Sequence, residues 1–398
     1  MIADESFVYF GPEPWTGMWR NRHQLLRRLA AANKVVYVEP RPYSYEVTAA
    51  LRRHELAWGD LRAGGLRPVG ESLWIYRSPR YAPLGGPGPL RAVTHGLRRR
   101  HLARALTAIA VREPIVWLST PAQFDARGDL PARLRVYHIV DDYLGYHGLT
   151  DPQRASWAER EQELIAWANL VVVVSPELIA SKGAGNPKFR LLPNAVDDVA
   201  YRISNRAVPA TLAILPRPIL GYVGLISIRL NLALLDALAA AHPEWTLALM
   251  GEVDRSGCGK DLDRLAERPN VRLLPAVPGD QVAEYVRAFD LGLLPYRQTR
   301  ETHHASPLKL YEYLAAGLPV VAADVPGARQ FAEVIAIADD LPAWEAAIAA
   351  QLATNSPADV AVRREAVAPH TWDARVETLS GYLVEALADK HRERGQRR

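Results

Sequence analysis

The sequence predicts an α/β protein with two doubly wound parallel sheets facing across a cleft. Three observations carry that expectation. The chain has 398 residues, more than one ordinary core accommodates, so two domains are expected. Short β-branched apolar runs alternate with helical patterns along most of the chain, which is the signature of Rossmann-like α/β domains. The stretch "ISNRAVPATLAILPRP" (203–218) carries three prolines and no clear periodicity, and it separates two such series. The expected layout is a Rossmann-like domain at 1–205, a second at 206–371, and a helix with a basic tail at 372–398 that returns to the first domain.

The first series of strands reads "SFVYF" (6–10), "KVVYVE" (34–39), "SLWIY" (72–76), "PIVWLS" (114–119), "RVYHIV" (135–140) and "NLVVVV" (169–174). The second reads "ILGYVG" (219–224), "TLALM" (246–250), "NVRLL" (270–274), "DLGLLP" (290–295) and "PVVAA" (319–323). These runs are continuous rather than alternating, as strands buried on both faces of a parallel sheet require. Helices are expected at 18–32, 97–111, 152–168, 229–241, 279–288, 307–316 and 372–388. Ligands of such sheets bind beyond the carboxyl ends of the strands, and a cleft between domains is a common site.

Composition narrows the function classes. Hydrophobic content is 49% and charged content 23%, normal for a soluble globular protein. The single cysteine, Cys258, excludes an internal disulfide and suits a reducing cytoplasm. The start "MIADESFVYF" does not read as a signal peptide, and no apolar run is long enough to span a bilayer. Residues 1–200 hold 26 Lys/Arg and 20 Asp/Glu; the remainder holds 22 and 24. The basic excess therefore lies in the first half, densest in "LRRRHLARAL" (97–106). Two readings of that stretch stand side by side, a solvated helix face and a surface for anionic lipid. No aromatic-basic interleaving or binding motif points to nucleic acid.

The stretch "SPLKLYEYLAAGLPVVAAD" (306–324) begins as a helix and ends as a buried strand. Ser306 suits an N-cap, Pro307 the first helical position and Gly317 the residue after the last turn. The helix start offers free amides and a positive dipole end to an anion. Lys309 and Glu312 stand three apart just inside it. Glu312 lies about 6 Å along the axis from those amides, near the reach from a phosphate to its ribose. Spacing alone favours a surface Lys309–Glu312 pair.

This stretch resembles the nucleotide-sugar signature of GT-B-fold glycosyltransferases, particularly the large bacterial group 1 family. "GYVGLISIRLNLALLDALAAAHPEWTLALMGEV" (221–253) resembles the opening of that family's donor domain. "LVVVVSPELIASKGAGNPKFRLLPNAVD" (170–197) resembles its pre-linker segment, and "HTWDARVETLSGYLVEAL" (370–387) its returning helix. The resemblance implies a transferase that moves a sugar from a nucleotide-diphosphate-sugar donor to a glycan, lipid-linked or small-molecule acceptor, with retention favoured. It implies a role in polysaccharide biosynthesis, without metal or other cofactor, in the cytoplasm or at the inner face of the membrane.

Residue by residue, the resemblance gives Glu312 the ribose, Leu308 and Lys309 the diphosphate, and Gly224 the close backbone approach. Ser306, Gly251 and Glu252 after "TLALM", and Val277 within "LPAVPG" (274–279) complete the donor-side candidates. The base is expected near that last stretch, held by backbone. Two positions depart from the family pattern. His304 stands eight residues before Glu312 where the family carries glutamate, with Glu301 nearby. Leu225 follows Gly224 where the family carries a cation, which leaves Arg229 and Lys309 to supply charge.

In the first half, "VYHIVDDYLGYHG" (136–148) ends a strand with Asp141 and Asp142. Asp141 reads as a contact to sugar or acceptor, or as a helix N-cap. His138, within the apolar run, reads as a sugar contact or a core histidine. Asp141, His138 and His304 are the candidate catalytic residues, the first two as bases if the enzyme inverts. "THH" (302–304) makes a poor metal pair, because adjacent histidines point apart. Trp15, Arg20, Arg22 and His23 offer sugar or phosphate contacts, or ordinary interdomain packing. Two alternatives remain open: an epimerase of the same fold, and a non-catalytic partner subunit.

Overall fold

The computed structural model describes residues 1–16, 19–85, 88–202 and 207–396, with side chains through residue 392. The expected boundary at 205/206 lies outside the described residues.

Eight strands form the first sheet: β1 (Ser6–Phe10), β2 (Lys34–Val38), β3 (Gly65–Pro68), β4 (Leu73–Arg77), β5 (Ile115–Leu118), β6 (Leu134–Ile139), β7 (Leu170–Val173) and β8 (Phe189–Leu191). Their order is β3-β4-β2-β1-β5-β6-β7-β8. Only the edge pair β3–β4 is antiparallel. Six strands form the second sheet: β9 (Ile219–Val223), β10 (Thr246–Met250), β11 (Val271–Leu274), β12 (Leu291–Leu294), β13 (Val320–Ala322) and β14 (Ala336–Ile337). Their order is β11-β10-β9-β12-β13-β14, all parallel.

The apolar runs become central strands because both faces are covered. Phe7, Tyr9, Val35 and Tyr37 enter one core cluster, while Val8, Phe10, Val36 and Val38 enter another on the opposite face. Helices Asn21–Leu29 and Trp372–Gln396 cover the first face through Leu25, Leu26 and Leu29, and through Val376, Leu379 and Leu383. The second helix thus reaches back from the far end of the chain, and Arg28 fixes it with a 2.8 Å bond to Asp373.

Strand order reverses around β1, flanked by β2 and β5, and around β9, flanked by β10 and β12. Crevices for ligands open at the carboxyl ends of strands at such switch points. The residues singled out in the sequence cluster at these two ends.

Two edge strands were not expected as strands in their own right. β3 is half-exposed and β14 is two residues long, so neither leaves an apolar run in the sequence. β8, with one buried residue in three, is the short strand running into "LPNAVD" that the pre-linker resemblance implies. Helices Ser44–Arg52, Gly259–Ala266, Leu341–Ala353 and Pro357–Val367 were also missed. Among the described residues, no helix is long and apolar enough to cross a membrane.

Candidate functional site

The site is built at the end of β9. Gly224 and Gly251 follow β9 and β10 at φ +135° and +153°, conformations that side chains rarely adopt. A Cβ on Gly251 would stand 1.9 Å from the Gly224 carbonyl oxygen, so two bare backbones meet there. The Gly224 amide donates to the Met250 carbonyl at 2.9 Å and ties the two turns together. Glu252 is exposed, and its carbonyl accepts from the Ile226 amide at 2.8 Å.

Helix Leu308–Ala316 points its start at this floor. Pro307 takes the N-cap position in extended backbone (φ −70°, ψ 112°), one residue later than the expected entry point for the helix. Proline has no side chain that can cap, and the first amides, of Leu308 and Lys309, have no preceding turn to donate to. Gly317 closes the helix in the left-handed conformation, φ +81°. Tyr313 holds the helix against β9, its hydroxyl accepting from the Val223 amide at 2.9 Å.

Lys309 lies on the glycine floor. A Cβ at Gly224 would sit 3.3 Å from its Nζ. The ammonium donates to the Tyr296 hydroxyl at 2.7 Å and faces the rings of Tyr222 and Tyr296 at 4.9 and 5.0 Å. Burial works against its charge; the surrounding phenols, that hydrogen bond and Glu312 outweigh burial and hold the ammonium above its ordinary value. Among the described residues, no carboxylate approaches Nζ within 4.0 Å. Glu312 does not form the simple surface pair that spacing also allowed. Burial raises its carboxyl, opposed by Lys309 and by the Tyr201 hydroxyl. Val277 lies half-buried against the same core.

The second expected cation is differently placed. Arg229 Nη2 lies 2.7 Å from Asp141 Oδ2, across the cleft, and Nε donates to Glu301 Oε1 at 2.7 Å. Burial opposes the Arg229 charge, and the two carboxylates more than offset it. Tyr146 donates to the same Asp141 oxygen at 3.1 Å. Asp141 is therefore neither free nor a helix cap. Burial raises the Glu301 carboxyl despite Arg229.

A parallel seam runs beside it. Asp142, fully buried, accepts from Arg300 Nε at 2.5 Å and pairs with Lys182 at 2.9 Å, while Lys182 reaches Glu161 at 2.6 Å. His304 is buried in this seam. Its Nδ1 faces the Arg300 carbonyl at 2.7 Å, which can only accept, so that nitrogen carries the proton. Ser175 donates to the His304 carbonyl at 2.8 Å. His304 is thus part of a wall between the sheets. Ser306 joins the same wall: its carbonyl accepts from Asn194 Nδ2 at 2.6 Å. Leu308 packs its side chain on the first core cluster.

His138 is 1% exposed beneath the sheet, with Trp117 5.6 Å away, and burial lowers its pKa to about 3. It does not reach the cleft surface. His23 is equally enclosed, 4.7 Å from Trp15 and 5.5 Å from Trp19. Burial first, then Arg22, lowers its pKa to about 4. Trp19 crosses to the second sheet, where a Cβ on Gly279 would meet it at 2.6 Å. His303 and His304 face each other at 74°, and the described residues hold no group of three or more His, Cys, Asp and Glu suited to a metal.

Sequence reasoning missed Tyr201, Tyr222, Tyr296 and Tyr313. Their signal was slight: tyrosine in an otherwise aliphatic strand or strand end, as in "ILGYV" and "LLPY".

Comparison with known proteins follows this geometry. Residues 217–354 match the family model for glycosyl transferases group 1. The chain is 30% identical over 145 residues to the putative teichuronic acid biosynthesis glycosyltransferase TuaH of Bacillus subtilis, covering 36% of each chain. It is 29% identical over 252 residues to a D-inositol 3-phosphate glycosyltransferase of Segniliparus rotundus, covering 57% of this chain and 54% of that one. These alignments span about a third and about half of the relatives' lengths.

Among solved structures, sucrose-phosphate synthase from Thermosynechococcus elongatus superposes with TM-score 0.72 at 17% identity, over 97% of this chain and all of that one. Anabaena HepE in complex with UDP superposes with TM-score 0.63 at 14% identity, over 96% of this chain and all of that one. At such identities the likeness is one of fold. The chain has the GT-B fold, and its residues 217–354 carry the match to the group 1 glycosyl transferases.

Proposed function

We propose that the protein is a glycosyltransferase that takes a sugar from a nucleoside-diphosphate donor, with retention of configuration, to a glycan, lipid-linked or small-molecule acceptor. One observation carries the reading. A largely enclosed ammonium, Lys309, stands on a bare glycine floor at an uncapped helix start, and among the described residues no carboxylate lies within 4.0 Å of it. Such a place suits an anion. The diphosphate sits against Lys309 and the Leu308 and Lys309 amides, with the ribose toward Glu312.

In this reading the bond from sugar C1 to the diphosphate oxygen breaks and its electrons go to the diphosphate. The acceptor oxygen bonds to C1 from the same side and passes its proton to a diphosphate oxygen. The helix start and Lys309 offset the growing negative charge by fixed electrostatics, so the protein itself supplies the compensation. Arg229 holds Asp141 and Glu301 at the cleft wall, where they meet the sugar or the acceptor hydroxyl. Val277 and its loop lie beside the base.

The HepE structures contain UDP, UDP with glucose, and UDP-glucose, which makes uridine nucleotides the first to try. Thermal stability is measured against UDP, GDP, ADP, CMP and dTDP. A ligand that binds only the native state raises the melting temperature by mass action. A shift with one diphosphate supports the donor site and directs sugar screening; the product's anomeric configuration then tests retention. No shift with any nucleotide at millimolar concentration overturns the reading.

A further inference from the structure

The first domain carries a surface that the donor site does not use. Among the described residues, sixteen large apolar side chains are exposed, and eight of them fall within residues 43–97. They include Trp58 at 78%, Tyr45 at 66%, Val93 at 59% and Leu90 at 53%. Residues 41–104 also hold twelve arginines against four acidic residues, and Arg41, Arg53, Arg77 and Arg91 are paired with Asp129, Glu55, Glu39 and Asp125.

These residues share one place. The segment 79–84 is the hub. The Tyr81 amide donates to the Leu61 carbonyl at 3.1 Å, which brings in the turn Trp58–Arg62. The Leu84 amide donates to the Pro42 carbonyl and the Ser44 amide donates back to Leu84, which brings in helix Ser44–Arg52. Arg98 donates to the Ala82 carbonyl at 3.1 Å, which brings in helix Gly88–Ala108. Tyr43 and Tyr45 stack at 5.5 Å on the outside.

The long helix shows two stripes. Thr94, Arg98, Leu102 and Leu106 recur every four residues and are buried. Leu90, Val93, Leu97, Arg100 and Arg104 recur at spacings of three and four and are exposed. An exposed stripe that is apolar and then basic does not face a protein core. Among the described residues, neither Arg100 nor Arg104 has a carboxylate partner.

We propose that this surface docks on an anionic lipid bilayer. Tryptophan, tyrosine and leucine enter the headgroup boundary while unpaired arginines meet the lipid phosphates. Charge complementarity selects the occupant: exposed apolar side chains beside the unpaired Arg100 and Arg104 suit a negatively charged interface. Topology gives it a use. The hub follows β4 and helix Ser44–Arg52 follows β2, so the surface adjoins the carboxyl edge of the sheet, where the cleft opens. A membrane-borne acceptor would be delivered to that edge, a consequence that rests on the proposed function; the docking itself does not.

The test is flotation with phosphatidylcholine vesicles and with vesicles of equal parts phosphatidylcholine and phosphatidylglycerol. The protein is expected to float with the anionic vesicles only, and to be released by salt. Arg100→Glu with Arg104→Glu should weaken vesicle binding at least about tenfold. Trp58→Ala with Leu90→Ser should weaken it as well. All four side chains are exposed, so melting temperature is expected to hold and is measured alongside. No flotation at low salt, wild-type binding by the charge-reversed protein, or tighter binding to a short single-stranded DNA than to the vesicles would each overturn the proposal.

Discussion

Two cations stand at the mouth of the cleft in opposite states. Arg229 is claimed by two carboxylates, Asp141 from the first sheet and Glu301 from the second. Lys309 has tyrosine oxygen and tyrosine rings around it but, among the described residues, no carboxylate within 4.0 Å. A paired guanidinium in a seam joins two bodies. An unpaired ammonium on a glycine floor is electrostatically incomplete, and an anion completes it. The difference assigns Arg229 to geometry and Lys309 to ligand.

The largest expected effect sharpens the Lys309 side of that contrast. Gly251→Ala places a methyl group 1.9 Å from the Gly224 oxygen at φ +153°. It should cost at least about 3 kcal/mol of stability, read by urea denaturation. A stable variant with unchanged nucleotide affinity would show that the floor is not closely built.

On the other side, Arg229→Gln leaves Asp141 and Glu301 without their shared partner. With these side chains 12–28% exposed, the loss should be about 2 kcal/mol, below that of a fully buried pair. The preference for UDP over uridine should be unchanged. If that preference collapses, Arg229 and not Lys309 meets the diphosphate.

Acid stability probes the enclosed histidines that the contrast leaves outside the cleft. His23 and His138 have folded pKa values lowered to about 4 and about 3, whereas in the unfolded chain they titrate near 6.5. Between those values the unfolded state binds more protons, so stability falls as pH drops through that window. Each should cost about 2 kcal/mol at pH 5 and little at pH 7. His138→Gln should flatten the decline of melting temperature between pH 7 and pH 5. An unchanged slope would mean that His138 is solvated and reaches the cleft.

The smallest effect falls beside Lys309. Glu312→Ala should weaken UDP binding about tenfold while the fold persists, as expected for one lost charged hydrogen-bond acceptor. Equal affinity removes Glu312 from the ribose site and leaves it as the partner of Tyr201.

Most of the sheet framework was legible because central parallel strands are buried on both faces and so read as unbroken apolar runs. β3 and β14 escaped because an edge strand needs no such run. The helix at 308–316 was legible through Pro307 and Gly317, local signals at its two ends. Lys309 and Glu312 were visible as residues, but their partners were not. Tyr222 and Tyr296 come from the ends of two different strands, and Asp141 lies 88 residues from Arg229. Linear spacing carries no record of such meetings. The same limit made Arg229 look free in the sequence, when the fold had already paired it.

The most direct test is calorimetric titration of UDP and uridine into the wild-type protein and Lys309→Met. The account predicts that the wild type strongly prefers UDP, and that Lys309→Met loses at least about tenfold of that preference while uridine binds as before. A folded Lys309→Met protein with the wild-type preference would contradict the claim that Lys309 and the helix start receive the diphosphate.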